Sequence, residues 1–393
     1  MLSFVILSIV ITYINSITSE CPCPDISLCQ PLQVEPRHEK IAFMVSNSNW
    51  RSYDYSQLTT IVICTNDFDP QLLCLAHSRQ VRLVWIANYD VTQLGNATAR
   101  TEWINLYVDK VKKTFTDGIN LDLEDEIADG SEAAYQYTQL VQELSDLIHV
   151  QVPGSKVSVD VAWSAPCIDG RCYDYTGLAS ASDFLFVMAY DLRSQIYDLN
   201  DCIASANSPI ARVAAGLNNF TQIFQISPSK LVLGVPWYCY DYKCLSLYTN
   251  MTCVIEHVPF RGAPCSDAAG VQQDYKYCRQ LLRLNSTTGR LIDNRTGEVF
   301  FNYINKQDGY IHQVWMDDPE TLLIKYDLAN DRQLFGIGMW NVDCLDYSAN
   351  ATKEVQQDTI DMWNAMKRFH IVDREKLRNH IFSIYEIESR VFY

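Results

Sequence analysis

Eight short apolar runs, set between more polar stretches along most of the chain, restrict this sequence to very few folds. They occupy positions 41–45, 60–64, 82–86, 118–123, 156–163, 184–190, 231–237 and 335–340, and they are rich in Val, Ile and aromatic residues. Runs of this length and makeup, bounded by polar segments, read as buried strands. The stretches between them include amphipathic candidates at 100–115, 133–150 and 211–225, with a closing helix at 354–366. The first carries Trp103, Leu106, Tyr107 and Val111 at helical spacing. Strands alternating with helices argue for a parallel sheet, and eight such units argue for an α/β architecture closed as a (β/α)₈ TIM barrel. An open doubly wound sheet is the alternative, but no Gly-rich phosphate loop follows the first strand.

The gap between the seventh and eighth runs is too long for a simple connection. It holds Cys239, Cys244, Cys253, Cys265 and Cys278, and predicts an α+β insertion at about 239–334 stapled by disulfides. The remaining organisation is a signal peptide at 1–19, a Cys/Pro-rich strap at 20–37, the barrel at 38–367 and a tail at 368–393 with no assigned role. The apolar run 2–14 is too short to span a bilayer comfortably and is followed by small residues. All 14 cysteines lie beyond residue 20, which suits disulfides in an oxidising compartment. Their spacings do not form paired metal knuckles, so no metal and no cofactor are expected. Sequons at Asn96, Asn219, Asn250, Asn285, Asn294 and Asn350 agree with secretion and predict glycosylation. The net charge of −16 argues against nucleic acid or an anionic membrane as partner. A soluble monomer, free of the membrane once its signal is removed, is the expectation.

The fourth run carries the chemistry. In 117–124, Asp-Gly-Ile-Asn-Leu-Asp-Leu-Glu, the residues alternate faces, so Asn120, Asp122 and Glu124 share one side and Ile119, Leu121 and Leu123 the other. Acid groups on one side of an apolar strand are costly in a core. At the mouth of a pocket they are useful, because close carboxylates raise one another's proton affinity and one can serve as a general acid. The plain alternative is a solvated edge strand with an acidic face. Neither His-Glu-x-x-His nor Gly-x-Ser-x-Gly occurs, which leaves zinc and serine hydrolases without support.

The run resembles the Asp-Gly-x-x-x-Asp-x-Glu signature of family 18 glycoside hydrolases. Met188-Ala189-Tyr190-Asp191 after the sixth run, Trp237 after the seventh and Trp340 at the eighth are similar to further motifs of that family, in the same order. Segments 21–24, 260–270, 312–315 and 344–347 resemble its lysosomal, chitobiose-cleaving branch. The resemblance implies a glycosidase acting on N-acetylglucosamine-containing oligosaccharides by substrate-assisted, retaining catalysis. It implies Glu124 as acid and base, Asp122 and Tyr190 as orienters of the acetamido group, and Asn120, Met188, Asp191, Trp237 and Trp340 as substrate-binding residues. It also implies delivery to the lysosome, with plain secretion as the alternative. An endo-chitinase and a catalytically silent chitin-binding lectin remain the rival functions. Asn120 stands where many family members have Asp; it is expected to hold Asp122 and, by removing a charge, to lower the pKa of its neighbours relative to a three-acid row.

Overall fold

A computed structural model describes Cys23, residues 25–195 and residues 202–370. The expected signal peptide at 1–19, part of the strap and residues 371–393 of the tail lie outside these described residues.

The eight runs form the closed parallel barrel. Its strands are β1 (Glu39–Met44), β2 (Thr60–Ile63), β3 (Arg82–Ala87), β4 (Gly118–Leu121), β5 (Lys156–Ala162), β6 (Phe184–Met188) and β7 (Leu231–Pro236), closed by β15 (Gly336–Trp340) between β7 and β1. Helices α1 (Pro70–Ser78), α2 (Ala97–Thr114), α3 (Glu132–Gln151), α4 (Tyr175–Ala181) and α5 (Ile210–Asn218) lie between the early strands. Local chemistry starts them: the side chains of Asp69 and Asn96 accept the orphan amides of Gln71 and Ala99, and Pro70 presets the first turn of α1. The inward face of α2 differs from the predicted stripe. Ile104, Val108 and Val111 are buried, Trp103 and Tyr107 stack on the flank at 4.5 Å, and Leu106 is exposed. The Trp103 ring meets the loop after β3, edge-on to Tyr89 at 5.4 Å and donating to the Asn88 carbonyl at 3.0 Å.

The barrel interior is filled by side chains. Phe43 of β1 and Phe186 of β6 meet with centroids 4.8 Å apart, and Phe43 also carries the Trp340 ring at 5.4 Å. Gly234 and Gly338 make room for Phe186, since a Cβ at either position would lie 2.4 or 2.6 Å from its ring. The interior is thus a packed core, and the open space sits at the carboxyl ends of the strands.

The insertion consists of β8 (Tyr238–Lys243), β9 (Ser246–Tyr248), β10 (Thr252–Val254), β11 (Gly270–Asp274), α6 (Tyr275–Leu284), β12 (Leu291–Asp293), β13 (Glu298–Ile304) and β14 (Ile311–Met316). Five of its strands form one antiparallel sheet in the order β11-β8-β14-β13-β12. Cys239–Cys278 and Cys244–Cys253 staple it internally, while Cys202–Cys265 ties it to the segment between β6 and α5. The predicted limit at 334 runs too far. Helix α7 (Pro319–Asp331) packs on β7, β15 and α8 (Lys353–Ala365), so it is a barrel helix. At the opposite end, the strap is fastened to the barrel floor: Asp117 accepts the Leu32 amide and faces His77, whose other ring nitrogen meets the Leu28 carbonyl.

Candidate active site

The strand that carries the acid row is fixed at its entry by Gly118. Its φ is +148°, and a Cβ there would lie 2.0 Å from the Lys156 carbonyl oxygen, so β4 can approach β5 this closely only with glycine. Ile119, Leu121 and Leu123 are fully buried on the outer face, as the alternation predicts. Strand β4 ends at Leu121, which leaves Asp122 and Glu124 just beyond the strand, at the barrel mouth.

One cavity gathers Asp122, Glu124, Met188, Tyr190, Asp191 and Trp340, together with Asp160, Arg171 and Gln272. Six of the eight predicted site residues therefore converge. The other two do not. Trp237 is 0% exposed and lies edge-on against Trp363 of α8 at 5.3 Å. Strand parity turns it outward from β7, and the next residue, Tyr238, faces the site instead. Asn120 is also absent from the cavity wall. It is 1% exposed beneath it, and its Nδ2 donates to Ser158 Oγ at 2.9 Å and Asp160 Oδ1 at 2.7 Å rather than to Asp122.

Asp160 overturns the expected effect of Asn120. It projects from β5 into the same space and supplies a third carboxyl to the row from the neighbouring strand. Burial and the nearby Glu124 raise the Asp122 carboxyl above its usual value, against the opposing pull of Arg171. Burial and Asp122 raise Asp160 likewise. The row thus still holds three carboxyls, because the one missing at 120 stands at 160. Asp160 had a legible signal: it is the one charged residue within the apolar body of 157–163, and it lies on the parity of Ser158.

Glu124 is the most accessible of the acids, its side chain about half exposed, and it pairs with Arg171 through a 2.7 Å contact between Oε2 and Nη1. Arg171 is itself almost wholly buried, in a loop closed by the Cys167–Cys172 disulfide. Asp169 sits between Arg171 and Arg261, at 3.5 and 2.8 Å. Arg261 also donates to the Glu124 carbonyl at 3.2 Å, so a hairpin of the insertion is latched to the loop bearing the acid.

Opposite this loop, Tyr190 is held neutral, its hydroxyl pushed well above the usual range by burial and by Asp160, Glu124 and Asp122. Asp191 adopts φ +55°, a left-handed conformation held by its amide donating to Asn207 Oδ1 at 2.6 Å. Its carboxylate accepts from the hydroxyls of Tyr238 and Tyr240, both on β8 of the insertion. A second cleft continues from the first, sharing Glu124, Asp191 and Gln272 and lined by Tyr240, Phe260, Arg261 and Asp267. The arrangement sets an accessible carboxyl at the junction of two clefts, with buried carboxyls and an aromatic floor on one side of it.

A barrel with its acid row at the end of β4 is the framework of a glycoside hydrolase, and the chain belongs to glycosyl hydrolases family 18, which matches over residues 83–344. Among curated relatives it is 44% identical over 356 residues to probable di-N-acetylchitobiase 2 of Dictyostelium discoideum, covering 89% of this chain and 90% of that one. It is 42% identical over 349 residues to di-N-acetylchitobiase of Homo sapiens, covering 89% of each. Among solved structures, a chitinase from Chromobacterium violaceum superposes with a TM-score of 0.64 at 17% identity, over 84% of this chain and 98% of that one, a likeness of fold.

Proposed function

We propose that this enzyme hydrolyses the GlcNAc-β-1,4-GlcNAc linkage of oligosaccharides released from N-glycans. The observation that carries the proposal is the graded burial of the row: an accessible Glu124 at the junction of two clefts, with Asp122 and Tyr190 beside it. Glu124 protonates the glycosidic oxygen, then activates water. No protein nucleophile is required: the N-acetyl carbonyl oxygen of the sugar lying over Trp340 attacks its own C1, and the oxazolinium ring that forms is opened by water with retention. Asp122 as an anion faces the acetamido N–H and offsets the positive charge that develops there. The Tyr190 hydroxyl donates to the acetamido oxygen, Asp191 accepts from sugar hydroxyls, and the Met188 side chain fills the wall beside them. Trp340 offers the pyranose an apolar face.

The high identity to di-N-acetylchitobiases along nearly the whole chain supports the small-glycan substrate over chitin polymer. The presence of Glu124, Asp122 and Tyr190 in one cavity argues against a silent lectin. We place the enzyme in the lysosome, reached through the secretory pathway as a monomer. Among the described residues no helix is long and apolar enough to cross a membrane. Asn96, Asn250, Asn294 and Asn350 are exposed and suited to carry glycans, and Asn285 is half-buried. Asn219 is poorly suited, because its Nδ2 donates to Ser164 Oγ and the Ala165 carbonyl.

The test is incubation of the purified protein with chitobiose-containing glycans and with colloidal chitin, followed by identification of products. Wild type should release N-acetylglucosamine-terminated fragments from the glycans, and Glu124→Gln should lower kcat by at least about a hundredfold with binding retained. Near-normal turnover by Glu124→Gln would remove the assignment.

A further inference from the structure

The third carboxyl of the row stands on a different strand from the other two, and its partner in the exchange is an amide. Residues 120 and 158 are register partners on the parallel strands β4 and β5. Carried two residues on, that register sets Asp122 beside Asp160 on the same inward face. Asn120 Nδ2 donates to Asp160 Oδ1 at 2.7 Å, which fixes that oxygen as an acceptor and leaves the second oxygen of Asp160 to carry a proton. Asp122 Oδ1 is buried and has no hydrogen-bond partner among the described residues. A buried carboxylate oxygen without a donor is costly, and a protonated carboxyl on the adjacent strand is the donor that this geometry supplies.

We propose that Asp160 is a positioning residue for the hydrolysis, sharing one proton with Asp122, and that Asn120 and Asp160 are an exchanged pair: the acid has moved to β5 and the amide that orients it stands on β4. This rests on the function proposed above. The proton balance is closed within the pair. When Asp122 ionises to face the acetamido N–H, the proton resides on Asp160; when the acetamido group departs, it returns to lie between the two carboxyls. The other groups around the pair are Glu124 and Arg171 from the loops above, Tyr190 from the end of β6, Tyr137 of α3, and Cys64 at the end of β2. Of these only Arg171 is cationic, and it is bound to Glu124, so among the described residues no cation neutralises Asp160. Two buried carboxyls side by side cannot both ionise readily, and burial and mutual repulsion keep one proton on the pair.

The experiment compares wild type, Asp160→Asn, the exchange variant Asn120→Asp/Asp160→Asn, and Glu124→Gln on a chitobiose-containing glycan across pH. Asp160→Asn replaces the protonated carboxyl that donates to the ionised Asp122 with a weaker amide donor, so the acid limb of the pH profile should move up by about one unit. Its kcat should fall at least about tenfold, with KM little changed, because Asp122 has lost its proton partner. The exchange variant returns one acid and one amide to the pair and should recover most of kcat and the wild-type acid limb. Infrared difference spectra give a readout independent of turnover: above the acid limb, where Asp122 is ionised, a buried protonated-carboxyl band should persist in wild type and the exchange variant and be absent from Asp160→Asn. An Asp160→Asn enzyme with wild-type kcat, pH profile and infrared band overturns the proposal. So does an exchange variant that melts like wild type and recovers nothing. Activity in Glu124→Gln overturns the underlying reading instead, which keeps the two failures distinct.

Discussion

Arg171→Met is the substitution with the clearest signed consequence. The Arg171 guanidinium lies 2.7 Å from Glu124 and also pulls the neighbouring Asp122 carboxyl down, against burial and Glu124, which together hold it up at about 7. One positive charge acting on a buried carboxyl at an effective dielectric near 20 is worth about 1–2 kcal/mol, or roughly one pKa unit. Removing a positive neighbour raises a carboxyl pKa, so Asp122 should need a higher pH to become the anion that faces the acetamido group. The acid limb of the kcat/KM profile should therefore move upward by about one unit in Arg171→Met, while Arg171→Lys should hold it near the wild-type position. Arg171 is buried and also faces Asp169, so thermal melts of both variants are needed to show folded protein. The assay is a pH–rate series on a chitobiose-containing glycan. An acid limb that is unchanged or displaced downward in folded Arg171→Met would refute the claim that Arg171 holds the Asp122 carboxyl down.

Two further outcomes follow from burial. Trp237→Ala should destabilise the protein by about 3–5 kcal/mol in denaturant unfolding with KM for the glycan unchanged, whereas Trp340→Ala should raise KM with little change in stability; the reverse pattern would restore Trp237 to the binding surface. Burial would raise the Asp183 carboxyl, but His149, Lys156 and the Val157 amide outweigh it and hold it down at about 2. A depressed folded-state pKa stabilises above the unfolded value and is lost as pH falls through the folded one. Asp183→Asn should thus lower stability by about 2 kcal/mol at pH 7 and by almost nothing at pH 2, and a penalty that does not change with pH would refute the linkage.

The barrel was legible because its strands are buried on both faces and so read as uninterrupted apolar runs, each in order along the chain. The acid row was legible because three polar residues at a spacing of two are costly on a buried strand and need an opening beside them. What failed was knowledge that one strand does not contain. Within its own strand Asn120 reads as a charge removed, because the register that brings Asp160 beside Asp122 belongs to two strands at once. Trp237 stands at the end of an apolar run, where the sequence points to the site, but parity at the end of β7 turns it towards Trp363. Tyr238 and Tyr240 offered no motif; their role arises only when β8 folds back over the barrel mouth. The boundary at 334 failed for a related reason, since α7 follows the insertion in sequence but packs with the barrel.

The two tyrosines that grip Asp191 bear on how such an enzyme can change. An insertion that merely decorated the barrel could be trimmed, enlarged or exchanged between relatives with the catalytic carboxyls left intact. Here one residue has its carboxylate held by hydroxyls from one folding unit and its backbone amide held by a side chain of another, so the two cannot be inherited separately. A graft of the barrel alone would carry Asp191 into a foreign context with its anchors left behind, and any reshaping of the β8 edge must preserve both phenols. The insertion is therefore a fixed half of the proposed site, and variation in substrate length should be confined to loops that hold neither the acid row nor this clasp.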